Sequence, residues 1–172
     1  IIIGEGEKLL LKFLQGELPQ EQRVHQLKDI GFEVMDINEL HSPDFSDFNM
    51  ESYQKVPSFS SRSCVYQCSF CSETVNWGKY RKRKANLIVN EMINLNKKYG
   101  SSLFLMTDSL LNPVIDELTQ EIINSGYEFH FDGYLKVDKH SCNVEKVMAW
   151  RKGGFYRARV GIESKCLRTA PP

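Results

Sequence analysis

The chain has 172 residues, and 22 Lys+Arg balance 22 Asp+Glu, so no net charge draws it to nucleic acid or to an anionic membrane. A hydrophobic fraction of 41% and a charged fraction of 26% exclude a disordered chain. No run approaches the ~20 apolar residues that span a bilayer, and Ile1-Ile2-Ile3-Gly4 lacks the basic flank and cleavage site of a signal peptide. The first residue is not Met, and the sequence is expected to be a piece of a longer protein. Of the five cysteines, Cys64, Cys68 and Cys71 sit together while Cys142 and Cys166 stand alone. An odd, clustered set points to metal ligation in a reducing compartment, with the cytoplasm as the expected location, rather than to a disulfide scaffold.

In chain order, Ile1 to Ile3 begins as a strand, and Lys8 to Gln15 reads as a helix with Leu10, Phe13 and Leu14 at helical spacing and Gly16 at its end. Residues 37–53 are rich in turn formers and read as an extended linker pinned by Phe45, Phe48 and Tyr53. Ser58 to Arg62 is a short strand running into the cysteines. Ala85 to Tyr99 is a helix with Ile88, Met92, Leu95 and Tyr99 in one stripe, Val89 and Ile93 beside it, and Gly100 as its stop. Leu103 to Met106 is a continuous apolar run, as for a strand buried on both faces. Asn112 is expected to cap a helix with Pro113 at its first position, Ile115, Leu118 and Ile122 inside and Gly126 at its end. Tyr127 to Tyr134 is a third strand; Val144, Val147 and Met148 mark a third helix closed by Gly153-Gly154; Phe155 to Ile162 is a fourth strand.

This rhythm predicts an α/β chain of about four parallel strands, preceded by an irregular segment over residues 1–56 and followed by a tail over 165–172 without periodicity. Four strands do not close a barrel. In parallel sheets functional groups gather at the carboxyl ends of strands. Cys64 onward, Thr107-Asp108-Ser109, Lys136 to Asp138 and Glu163-Ser164 occupy those ends, and all are polar or metal-binding.

Cys64-Val65-Tyr66-Gln67-Cys68-Ser69-Phe70-Cys71 has the spacing C-x3-C-x2-C. Three thiolates on one loop can hold three irons of a four-iron cluster, for which four cysteines are the ordinary electron-transfer set. Three leave one iron open to a substrate or cofactor, by the logic that separates catalytic from structural zinc. Zinc is the alternative, but it normally takes two ligand pairs, and no second pair follows.

The motif, with Phe70 before its last cysteine, resembles the cluster motif of the radical S-adenosylmethionine (SAM) superfamily. Ile3-Gly4-Glu5-Gly6-Glu7 resembles the end of a cobalamin-binding domain. Ser42-Pro43-Asp44-Phe45, with Phe48 and Tyr53, resembles the linker of the cobalamin-type subfamily. Trp77, Tyr80-Arg81, Glu91, Asp108 and Gly161-Ile162-Glu163-Ser164 continue the likeness, which covers most of residues 1–164. It implies a partial (β/α)6-type radical SAM barrel over residues 57–164, after the end of a cobalamin domain and its linker.

By this resemblance Cys64, Cys68 and Cys71 hold a [4Fe–4S] cluster whose open iron binds SAM, and reductive cleavage yields a 5′-deoxyadenosyl radical. An electron donor such as flavodoxin or ferredoxin is implied. Cobalamin is a possible further cofactor of the full-length protein, with Glu5 and Gly6 near its nucleotide tail. Phe70 is a contact for adenine, or packs under the cluster loop. Asp108 and Ser109 lie where the amino group of SAM is recognised, with helix capping as the plain alternative; Glu163 and Ser164 lie where its ribose or carboxylate is contacted. Two positions depart from the pattern: Ser63 stands where glycine is usual, and Lys136 stands where an arginine would clamp a carboxylate with two parallel bonds.

The implied reaction is cobalamin-dependent methyl transfer or a related radical reaction. A methylthiotransferase acting on RNA or a ribosomal protein is an alternative, and a non-catalytic electron-transfer module with a fourth cysteine ligand is another. The substrate is not implied. The run Arg81 to Lys84 reads as the solvated start of a helix rather than a nucleic-acid contact.

Overall fold

The computed structural model describes residues 1–162. Strand β1 (Ile2–Ile3) pairs in parallel with β2 (His25–Gln26) through helix α1 (Glu7–Leu14). Helix α1 forms where the spacing predicts it and buries a single leucine. Leu9 is buried while Leu10 and Leu14 are exposed, because a helix lying on a two-stranded ribbon touches it along one line only. Phe13 is half-buried, its ring 5.2 Å from that of His25.

From Val56 the chain alternates strands and helices. Strand β3 (Val56–Ser58) is followed by β4 (Ser61–Arg62), helix α2 (Glu73–Trp77) and β5 (Arg81–Lys82), with β4 and β5 forming a small antiparallel ribbon. Then come α3 (Ala85–Tyr99), β6 (Leu103–Met106), α4 (Ile115–Ser125), β7 (His130–Tyr134), α5 (Val144–Lys152) and β8 (Phe155–Arg159). Strands β3, β6, β7 and β8 form a parallel sheet in that spatial order. A sheet that adds each new strand beside the last is a segment of barrel wall; a doubly wound sheet would reverse its order and carry helices on both faces.

The core lies between this sheet and its helices. Val56, Phe104, Phe131 and Phe155 form one row across the four strands and meet Ile88, Met92 and Leu95 of α3 and Ile115, Leu118 and Ile122 of α4. Helix α3 ends at Gly100 and α4 at Gly126, both left-handed, as expected. On β6, Leu103 and Leu105 are half-buried while Phe104 and Met106 are fully buried, so the apolar run is not covered equally on both faces. Helices sit on one side only, and the other side is the inner wall of the barrel segment.

Tertiary contacts correct the expected helix cap at Asn112 and decide which face α5 buries. Asn112 does not cap α4. Its amide donates to the Lys136 carbonyl at 2.9 Å and to Asp138 Oδ2 at 3.0 Å, and its Oδ1 accepts from Lys136 N, tying together the loops after β6 and β7. Helix α5 turns Val144, Val147 and Met148 outward and buries Trp150. That indole sets the rotation of α5: Nε1 donates to Asp116 Oδ1 at 2.6 Å, and the ring meets Phe155 edge-on.

The linker is held to α3. Asn38 Oδ1 accepts from Lys84 N at 2.9 Å, satisfying a free amide at the start of the helix, and Tyr99 donates to Asp44 Oδ1. Phe45 packs on Tyr99 and the core edge, whereas Phe48 and Tyr53 stay largely exposed. Among the described residues no helix is long and apolar enough to cross a membrane.

Gly154 joins α5 to β8 at φ +92°, where an added Cβ would collide with the carbonyl oxygen of Phe129; around Gly126, φ +72°, the space is open. Urea unfolding should therefore show Gly154→Ala costing about 3 kcal/mol or more and Gly126→Ala only about 1 kcal/mol. Burial alone would raise the pKa of Asp116, but hydrogen bonds from Lys146, Trp150 and His140 outweigh it and bring it to about 2 from the usual 3.8. A depressed carboxylate stabilises the fold above its unfolded pKa and loses that contribution as pH falls through its folded one. The loss of melting temperature between pH 4 and pH 2 should accordingly be smaller in Asp116→Asn than in the parent chain.

Candidate functional site

The cysteine loop leaves the sheet at the carboxyl end of β3, and its root is built from buried polar groups. The predicted strand Ser58 to Arg62 is broken at Phe59-Ser60. The break is made by Asp108, just past β6. Its carboxylate accepts from Ser60 N at 3.0 Å and, through Oδ1, from the hydroxyls of Ser60 and Ser61 at 2.7 Å each. Asp108 is 1% exposed, and burial pushes its pKa up while the serine hydrogen bonds pull it back. Both oxygens serve the loop, so Asp108 holds the root of the loop in place. Its neighbour Ser109 is exposed.

A second buried carboxylate holds the same root from the helix side. Glu91 of α3 pairs bidentately with Arg83, Nη2 to Oε2 at 2.8 Å and Nη1 to Oε1 at 3.3 Å, and accepts from Ser58 Oγ at 2.8 Å. Arg83 also donates to the Phe59 carbonyl at 3.0 Å and lies over the Phe59 ring. The basic run is therefore not a solvated helix start. Arg83 is buried, Arg81 and Lys82 are strand β5, and Lys82 pairs with Glu117.

Glu5 closes the arrangement on the other side. It is 3% exposed and paired with Arg81 and, at 3.3 Å, with Arg62, whose guanidinium also reaches Glu7 and stacks over Trp77. Its carboxylate is engaged inside this chain by the two arginines.

From this root the loop turns outward at Ser63, whose φ of +69° is in the left-handed region. This is the position where glycine is expected, and the geometry explains why. The serine is held there by donating to the Gly78 carbonyl at 2.7 Å. Cys64 and Cys68 are half-buried, Cys71 is exposed, and all three are free thiols, as is exposed Cys142. Tyr66 N donates to Cys64 Sγ at 3.5 Å, and Cys71 N to the Cys68 carbonyl at 3.0 Å. Among the described residues no three His, Cys, Asp or Glu side chains close on a point that would hold a single ion. The three thiols are spread along one loop. As soft sulfur donors on one exposed loop they fit an iron–sulfur cluster by kind.

Phe70 is 57% exposed at the loop's outer side. Lys136 is half-buried, its Nζ 3.9 Å from the centre of the Tyr66 ring, so the loop after β7 touches the cysteine loop directly. Beside Cys64 lies a cleft of about 630 Å³ lined by Val65, Gln67, Thr74, Lys79 and Tyr80. Burial, foremost, holds the Tyr80 phenol above its ordinary pKa. Glu163, Ser164 and Cys166 lie outside the described residues.

Sequence reasoning gave no role to Ser60 and Ser61, the partners of Asp108. The run Ser58 to Ser63 carries four serines, three of them in the segment read as a short strand, and that excess of hydroxyls was the available signal.

No protein-family model matches the chain. The anaerobic magnesium-protoporphyrin IX monomethyl ester cyclase of Cereibacter sphaeroides is 25% identical over 195 aligned positions, covering 95% of this chain and 31% of that protein. Among solved structures, the cobalamin-dependent S-adenosylmethionine radical enzyme OxsB, with aqua-cobalamin and S-adenosylmethionine bound, superposes with a TM-score of 0.67 at 17% identity, over 94% of this chain and 27% of that one. The described residues have part of the fold of the radical SAM barrel. The radical S-adenosylmethionine methyltransferase TsrM of Kitasatospora setae, with cobalamin and a [4Fe–4S] cluster bound, shares it at a TM-score of 0.56 and 21% identity, over 66% of this chain and 24% of that one. Both solved structures are, by their descriptions, S-adenosylmethionine radical enzymes that bind cobalamin. The chain spans about a third of the length of the curated relatives it matches.

In this radical SAM barrel Ser63 exchanges backbone strain for a hydrogen bond. A left-handed non-glycine residue costs about 1–2 kcal/mol, and the bond to Gly78 returns about 1 kcal/mol. Chemical denaturation should show Ser63→Gly within about 1 kcal/mol of the parent, because relief and loss offset each other. Ser63→Ala should be less stable than Ser63→Gly by about 1–2 kcal/mol, since it keeps the strain and loses the bond.

Proposed function

We propose that this chain is the cofactor-binding part of a radical SAM enzyme, with Cys64, Cys68 and Cys71 as the ligands of a [4Fe–4S] cluster. The observation that carries the reading is the C-x3-C-x2-C loop at the carboxyl end of the first strand of a radical SAM barrel, with three free thiols and no fourth cysteine on the loop. Such a cluster, when bound, supplies the electron that cleaves SAM to a 5′-deoxyadenosyl radical. The electron comes in turn from a small redox protein such as a flavodoxin or ferredoxin, and three unpaired thiols suit a reducing cytoplasm.

The chain's own residues hold this chemistry in place. Asp108 grips Ser60 and Ser61, and Arg83–Glu91 grips Ser58 and Phe59, so the loop starts from a rigid base. Phe70 offers an exposed ring for adenine, and exposed Ser109, next to buried Asp108, offers a hydroxyl for the amino group of SAM. Lys136 stands beside the loop as a point charge for the SAM carboxylate. Glu163 and Ser164 follow the fourth strand, and their sequence supports a ribose or carboxylate contact. The reaction we assign to the whole protein is cobalamin-dependent methyl transfer or a related radical reaction, the likeness to the methyltransferase TsrM favouring the first and the likeness to the cyclase the second.

The test is anaerobic reconstitution with iron and sulfide, followed by EPR of the dithionite-reduced protein with and without SAM. A [4Fe–4S]⁺ signal that shifts on adding SAM, together with formation of 5′-deoxyadenosine, is the expected result. Cys64→Ala, Cys68→Ala and Cys71→Ala should each lose the signal while Cys142→Ala keeps it. A cluster signal indifferent to SAM, or one that survives loss of any of the three cysteines, overturns the assignment.

A further inference from the structure

The inner wall of the barrel carries a charge arrangement that the cysteine site does not use. Asp132 projects from β7 on the face away from the helices and is 0% exposed. Its Oδ2 accepts from Lys55 Nζ at 2.9 Å, from Arg157 Nε at 2.8 Å and from Arg159 Nη2 at 2.9 Å. It is also the partner of Arg157 Nη2 and, at 3.2 Å, of Arg159 Nε. The strand register puts Arg157 opposite Asp132 and Arg159 opposite Tyr134, so both guanidiniums lie on this one face.

Three cations meet one carboxylate, leaving a formal excess of two positive charges. Five N–H donors crowd a single oxygen, more than its two lone pairs can accept. Meanwhile Oδ1, equally buried, has no partner among the described residues. The cluster therefore has donors in surplus and one acceptor unmet. It is also accessible: the Arg157 and Arg159 side chains are 52% and 31% exposed. The Arg159 guanidinium lies 5.8 Å from the centre of the Tyr134 ring, and Arg157 and Lys55 flank Tyr156. Half-buried Leu105, opposite Asp132 in register, gives the same face an apolar floor.

We propose that this cluster is a binding site for a carboxylate- or phosphate-bearing organic molecule, and that this molecule is the enzyme's substrate. Its anionic oxygens take the surplus donors of Arg157 and Arg159, and a hydroxyl or amine on the same molecule donates to Asp132 Oδ1. Tyr134, Tyr156 and Leu105 flank its carbon skeleton. Asp132 lies two residues before the end of β7, roughly 7 Å below the rim at which the cysteine loop begins. The anion site stands on the charges alone; its identification with the substrate rests on the radical SAM reading.

The probe is malonate, a small dianion, titrated calorimetrically into the purified chain without cluster or SAM, with neutral malonamide as control. Malonate should bind and malonamide should not. Arg157→Gln and Arg159→Gln, with folding checked by circular dichroism, should each weaken malonate about tenfold or more, as loss of a charge-assisted pair implies. Arg159→Lys, which keeps the charge and an ammonium for Asp132, should recover part of that loss and guards against a fold that fails in the glutamine variants. Absence of malonate binding, equal binding of malonamide, or binding indifferent to the arginines overturns the proposal. Repeating the titration on reconstituted protein saturated with SAM separates the two sources of anion. Undiminished malonate binding supports a substrate site, and displacement by SAM shows that the anion is the carboxylate of SAM and overturns the substrate assignment. Because the first titration needs no cluster, its failure is distinct from a failure of the radical SAM reading, which shows in the EPR experiment.

Discussion

The cysteine loop stands on two buried carboxylates. Asp108 reaches it from the end of β6 and Glu91 from α3, and between them they hold Ser58, Ser60, Ser61 and, through Arg83, the Phe59 carbonyl. Neither is a surface charge. An unpaired buried carboxylate is costly, whereas one that accepts several hydrogen bonds is held to a single geometry. Removing one partner of a buried pair such as Arg83–Glu91 leaves the other uncompensated, a loss of about 3–5 kcal/mol. The orientation of the loop thus depends on a helix and a strand that lie well away in sequence, and a flexible-looking run of serines becomes a fixed base for three thiols.

The same logic extends outward. Glu5 carries the ion-pair network from the N-terminal ribbon to Arg62 and Arg81 of the β4–β5 ribbon that flanks the loop. Lys136 touches the loop through Tyr66, and Asn112 fixes the backbone of Lys136. Each is a polar contact between segments that the apolar core does not join, since that core lies between the sheet and its helices. A chain with no net charge nevertheless sorts its charges. Acidic groups brace the root of the loop, and arginines and a lysine gather on the inner wall around Asp132.

How much of this was legible depends on whether the cause is local. Helix α3 was readable to the residue, because a 3.6-residue apolar stripe and a left-handed glycine stop are properties of the segment alone. Helix α5 was legible from Val144, Val147 and Met148, but its buried face was not, because a single indole bonded to Asp116 decides its rotation. Asn112 looked like a cap because its neighbours favour one; a loop brought alongside by the sheet took its amide instead. Ser63 looked like a mere departure from glycine until its backbone angle and its bond to Gly78 were visible.

The sequence by itself determined the alternation of strands and helices, the three thiols on one loop and the strand ends at which polar groups collect. Spacing and periodicity act within a few residues and need no partner. Only the tertiary structure decided that Asp108 positions the loop, that Arg83 and Glu5 are buried pairs, and that Lys55, Arg157 and Arg159 converge on Asp132. Those outcomes depend on which strands become neighbours and in what register, and no local pattern encodes the meeting of Lys55 with a carboxylate 77 residues away.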